Sequence, residues 1–137
     1  MFGNLKINTR QKKEVLDVTG QAKRLASGTS NGLAFFYLPH TTATLLMCED
    51  DEGLRADLIR TAERWLKDCG PFQHLRKNNP NAEAHILSAF GGHGLTVPIK
   101  DGQLDLGTYQ NLLLLELDGP KEREIRCCII TPPEAAT

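Results

Sequence analysis

Three histidines stand in separate segments, His40 and His74 in loop-like settings and His85 in the first turn of an expected helix. His40 follows Pro39, His74 lies between Gln73 and Leu75, and His85 follows Asn81-Ala82-Glu83-Ala84. Imidazole nitrogen ligates zinc and related divalent metals, and three such ligands leave a position open for water or substrate. No pair of these histidines has the i, i+4 spacing that makes a helical metal motif recognisable by itself. A lone histidine is more often a hydrogen-bonded structural group, so convergence of the three is an expectation the fold must meet. His93, in Gly91-Gly92-His93-Gly94, is a fourth candidate whose plainer reading is a loop residue.

A phosphate site needs donors. The chain offers the hydroxyls of Thr41, Thr42 and Thr44, the amides of that glycine loop, and the cations Lys121, Arg123 and Arg126. No Walker-type pattern is present, and neither Ser88 nor any cysteine carries a nucleophile signature.

The elements that must position these groups are readable in outline. Leu5–Thr9 and Glu14–Val18 look extended, with Thr9–Lys12 able to turn a hairpin between them. Thr19-Gly20 starts a short helix through Ala26. Gly32–Leu38 reads as a buried strand that Pro39 ends, and Leu45–Cys48 as a second, which puts His40 at a strand-to-strand corner. The acidic run Glu49-Asp50-Asp51-Glu52 opens the clearest helix, with Leu54, Leu58, Ala62, Trp65 and Leu66 on one stripe. That run suits a helix N-terminus, so Glu49 is equally a capping residue or a chemical one. Asn81 is placed to cap a helix over Ala82–Phe90, which Gly91-Gly92 ends. Leu95–Ile99, a turn at Asp101-Gly102, Asn111–Asp118 and Glu124–Ile130 complete the strands.

Strands dominate both ends and helices the middle. This predicts an α+β fold, a single compact domain over 1–137 with helices packed on a mostly antiparallel sheet. The 137 residues suffice for one core, and 40% apolar with 24% charged residues is ordinary globular composition. A net charge of -1 and few aromatics exclude a general nucleic-acid surface. Four cysteines without a C-x-x-C pair read as reduced thiols. The first residues lack a signal-peptide pattern, and no apolar run could cross a bilayer, so a cytoplasmic protein without membrane contact is expected.

Taken together, several stretches resemble the YjbQ family, also called the secondary thiamine-phosphate synthase family. They are Pro39-His40-Thr41-Thr42-Ala43, the acidic run from Glu49, Asp57-Leu58, His74, Asn81–His85, Gly107-Thr108-Tyr109-Gln110 and Glu116–Pro120. The chain departs from that pattern at Cys48, Glu83, Tyr109 and Lys121, and in carrying His93. The resemblance implies a homotrimer with a histidine-lined pocket for a metal ion or an oxyanion. It implies condensation of a pyrimidine diphosphate with a thiazole phosphate, releasing pyrophosphate. Carried over residue by residue, it makes His40, His74 and His85 the expected ligands of a divalent metal, zinc or magnesium. Glu49, His85 and Asp57 become the expected catalytic groups. Thr41, Thr42, Gln110 and Arg123 become the expected contacts to a small phosphorylated substrate. A non-catalytic trimeric metal- or phosphate-binding protein and a metal-dependent hydrolase are the alternatives.

Overall fold

The run Leu112-Leu113-Leu114-Leu115 has no polar alternation, and the computed structural model shows why. Its strand is covered on both faces. The structure describes residues 1–133. The strands are β1 (Phe2–Asn8), β2 (Glu14–Asp17), β3 (Gly32–Tyr37), β4 (Ala43–Cys48), β5 (Gly94–Lys100), β6 (Gln103–Leu104), β7 (Asn111–Glu116) and β8 (Glu122–Ile130). The helices are α1 (Thr19–Ala26), α2 (Glu52–Trp65) and α3 (Ala82–Gly91). A five-stranded sheet runs in the order β1-β8-β3-β5-β6 and a three-stranded sheet in the order β2-β7-β4, with every pairing antiparallel.

Three layers result. Leu112 and Leu114 of β7 join Ala43 and Leu45 against the inner face of the large sheet, where Ala34, Phe36, Val97, Ile99, Ile125 and Cys127 lie buried. Leu113 and Leu115 point the other way, onto Ala62 and Leu66 at α2 and Ala84 and Leu87 of α3. Successive side chains of a strand point to opposite faces, so an unbroken apolar run belongs between two cores. The outer face of the large sheet has no such cover. Leu33, Phe35, Tyr37 and Ile130 are exposed there, with the Phe35 and Tyr37 rings stacked at 6.5 Å.

The α+β class and the antiparallel pairing hold, with two sheets where one was expected. The expected hairpin between the first two strands does not form. β1 pairs with β8 and β2 with β7, so the chain crosses between sheets at Thr9–Lys13. Trp65 leaves the α2 stripe and stands 61% exposed against Phe90. The hairpin turn at Asp101-Gly102 is as read, with both residues at positive φ, 51° and 80°.

The acidic run divides its work. Asp51 caps α2 through hydrogen bonds from the Gly53 and Leu54 amides at 2.9 and 3.2 Å. Asp50 takes both arms of Arg55, whose Nη1 also donates to the Val15 carbonyl at 2.8 Å. Replacing Asp51 with Ala is expected to cost about 1 kcal/mol in urea unfolding, the usual loss of an N-cap.

Candidate functional site

β7 ends at Glu116 and is followed by Leu117-Asp118, and two of these three residues are buried acids. Each has gathered its own cations. Glu116 receives Arg123 Nε at 2.9 Å and Nη2 at 2.5 Å, the Thr9 hydroxyl at 2.7 Å and the Leu117 amide at 3.0 Å. Burial pushes this carboxyl up, but the Arg123 and Thr9 hydrogen bonds override it and hold it below the usual range. Arg123 itself is only 3% exposed, and its remaining bonds go to the Thr42 carbonyl and hydroxyl at 3.1 and 2.9 Å.

Asp118 accepts from Lys12, from Lys121 Nζ at 2.9 Å, from Asn79 at 2.8 Å and from Asn81 at 3.0 Å. Burial again pushes this carboxyl up, and these four donors together hold it far below the usual carboxylate range. It is therefore ionised and acceptor-only. That settles how the Asn81 amide faces: its NH2 goes to Asp118, so its oxygen faces His74 Nε2, 3.1 Å away. An amide oxygen only accepts, so His74 carries a proton on Nε2. Asn81 occupies the N-cap position of α3 but its side chain caps nothing. The expectation that it would accept from free helix amides is corrected here, because Asp118 holds the Asn81 NH2 and the Asn81 oxygen faces His74 Nε2 in place of the helix amides.

His85, one turn into α3, meets His74 edge-on with ring centroids 5.1 Å apart. Beside them runs a cleft of about 390 Å³, lined among others by Lys12, Lys13, His74, Asn81 and Glu83. Lys12 donates to both Asp118 and Asn79, which leaves it one further proton, and Lys13 forms no ion pair among the described residues. The cleft thus gathers two lysines, the His74 imidazole and the Glu83 carboxylate, with His85 outside its lining, over a buried Asp118 that keeps Lys12 in place.

His40 does not join that pair. β3 ends at Tyr37, opposite Arg126, so the next free amide of β8 has no strand partner. His40 supplies it, with Nε2 accepting from the Glu124 amide at 2.9 Å. Burial, and then the charge of Arg123, push the His40 pKa down. Among the described residues no three His, Cys, Asp or Glu side chains form a group that could hold a metal ion. A zinc centre takes at least three protein ligands, so the donors of one chain do not fit one. The expected convergence of His40, His74 and His85 on one ion is corrected to a pair plus a separate ring.

The other expected site residues scatter, and the reason is geometric. Cys48 pairs with Asn111 and Ala43 with Glu116, so the β4–β7 ladder has two ends about 17 Å apart. Thr41, Thr42, His40 and Arg123 lie at the Glu116 end. Glu49, exposed, and Gln110 lie at the Asn111 end. Gln110 accepts from the Gly107 amide at 2.9 Å within its own turn. Thr42 is buried under Arg123, while the neighbouring Thr41 is exposed. Asp57 sits on α2 in an exposed pair with Arg60. Arg123 is neutralised inside the fold, not presented to the cleft. His93 is fixed by Ser88. The single Ser88 proton goes to the Ala43 carbonyl at 2.6 Å, so His93 Nε2–H donates to Ser88 Oγ at 3.0 Å.

Asp118 and Lys12 have no role in the reading of the sequence, and the Asn81 side chain has only that of a helix cap. The only signal was the pair of short stretches Asn81–His85 and Glu116–Pro120, which carry an acid and an amide without a stated purpose.

A family model described as UPF0047 protein YjbQ-like matches residues 3–132. The chain belongs to the UPF0047 YjbQ-like family. A UPF0047 protein of Archaeoglobus fulgidus is 35% identical over 121 residues, 88% of this chain and 94% of that one. The UPF0047 protein YugU of Bacillus subtilis is 31% identical, covering 90% and 94%. Among solved UPF0047-like structures, a hypothetical protein from Aeropyrum pernix K1 superposes with a TM-score of 0.90 at 34% identity, covering 96% of this chain and 99% of that one. A YbjQ-like protein of unknown function from Sulfolobus solfataricus P2 gives 0.86 at 32%, covering 94% and 95%. Most of the UPF0047 chain is therefore shared with these relatives, and its fold with the two solved structures. No helix among its described residues is long and apolar enough to cross a membrane.

Proposed function

We propose that the chain is a thiamine-phosphate-synthase-like transferase that binds phosphorylated substrates in the cleft between Lys12-Lys13 and the start of α3. The observation that carries this reading is the cationic, imidazole-bearing cleft held together by the buried Asp118. Pyrophosphate is a polyanion, and preorganised cations stabilise it best when it leaves. In the reaction, the thiazole nitrogen donates its electron pair to the pyrimidine methylene carbon. The carbon–oxygen bond breaks, and its pair departs on pyrophosphate. Lys12 and Lys13 neutralise the leaving oxygens, while the walls of the cleft hold nitrogen and carbon in line.

Glu49 and Gln110 lie too far from this cleft to serve it in the same protomer. In the homotrimer that the family resemblance implies, the opposite ladder end of another copy is the source for them. Four free thiols, at Cys48, Cys69, Cys127 and Cys128, fit the reducing cytoplasm as its location.

The test is pyrophosphate release from the purified protein given both substrates. Release that requires the thiazole phosphate supports the transferase. Release without it shows a hydrolase, and retention without release shows a binding protein. Lys13→Ala is expected to raise KM for the diphosphate about fivefold, the worth of one exposed charge, with unfolding unchanged.

A further inference from the structure

The surroundings of His40 decide where its proton sits. The group 2.9 Å from Nε2 is the backbone amide of Glu124, which can only donate. Nε2 therefore presents its lone pair, and the proton of the neutral ring is on Nδ1. This is the reverse of His74, whose Nε2 faces the Asn81 oxygen. The Nδ1 of His40 has no hydrogen-bond partner among the described residues, and no buried side-chain nitrogen there is left unpartnered. Nδ1–H is consequently open to the surface, next to the exposed Thr41. Burial first, and then the Arg123 charge, disfavour a second proton on the ring, against the opposing pull of the Glu124 and Glu116 carboxylates.

We propose that His40 is a hydrogen-bond donor to an anionic ligand oxygen through Nδ1–H, not a metal ligand. Its one lone pair is already committed to the main chain, so coordination would release the Glu124 amide. An outward-facing N–H donor suits a phosphate or pyrophosphate oxygen. The choice of anion rests on the phosphate-binding function proposed above, whereas the tautomer does not.

Long-range proton–nitrogen NMR on the full chain, at a pH above the imidazole range, reads both nitrogens directly. The expected spectrum shows Nδ1 protonated and Nε2 bare. Inorganic pyrophosphate is expected to shift Nδ1, and zinc alone to leave both His40 nitrogens in place. A ring protonated on Nε2, or His40 nitrogens moved by stoichiometric zinc, would overturn the proposal. His40→Asn, which keeps an amide donor near the Nδ1 position, is expected to hold pyrophosphate affinity within about threefold, and His40→Phe to lose about tenfold. Equal affinity in wild type and His40→Phe also overturns it. Pyrophosphate shifts at Nδ1 without any condensation activity would support the donor role while removing the synthase reading.

Discussion

Arg123→Met is expected to destabilise the fold by about 3–5 kcal/mol, the usual cost of stranding one partner of a buried ion pair. Glu116 would keep Thr9 and two main-chain amides, at 3.0 and 3.3 Å, but lose its counter-charge in a fully buried site. Urea unfolding measures the loss. The double replacement Glu116→Gln with Arg123→Met is expected to recover part of it, because no unpaired charge is then buried. If the single variant unfolds at the wild-type urea midpoint, the pair contributes nothing and this account fails.

The same pair sets a pH dependence. Glu116 and Asp118 both titrate below their unfolded range. Their stabilisation is therefore fully present above the ordinary carboxylate pKa. It declines as pH falls below that value, where the unfolded chain takes up protons first. Stability is expected to be flat near neutrality in this respect and to fall steeply in acid. Arg123→Met should flatten that acid limb.

Asp118→Ala is expected to cost about 2–3 kcal/mol and on the order of tenfold in kcat/KM for pyrophosphate release. The stability term comes from Asn81, 4% exposed, whose NH2 would be left without an acceptor. The kinetic term comes from two released groups, the Lys12 ammonium and the Asn81–His74 bond. Asp118→Asn separates the two. It keeps the volume and one acceptor oxygen, so most of the stability should survive, while Lys12 loses its counter-charge. Wild-type kinetics in both variants would mean that the cleft does not use this network.

What was legible in the sequence was local. The strand ended by Pro39, the helix opened by Asp51 and the Asp101-Gly102 turn each depend on neighbours a few residues away. Strand pairing does not, and the hairpin expected at Thr9–Lys12 failed because β8, near the other end of the chain, was the better partner for β1. The site was legible only as residue types. His40 depends on an amide 84 residues away, and Lys12 on a carboxylate 106 residues away. Asn81 carried the correct signal for a helix start, yet its side chain answers to Asp118 instead. The leucine run was legible as a strand covered on both faces, but not which elements would cover each face.

That run has a further effect. A strand that is apolar on both faces could slide by one residue and bury as much leucine as before. What forbids the slide is its last residue. Moved one step, Glu116 would exchange faces and leave Arg123 with no anion, so the salt link fixes the phase of β7 against its neighbours. Weakening the link should therefore admit shifted forms of the sheet as well as unfolded chains, and solubility on expression would show the difference.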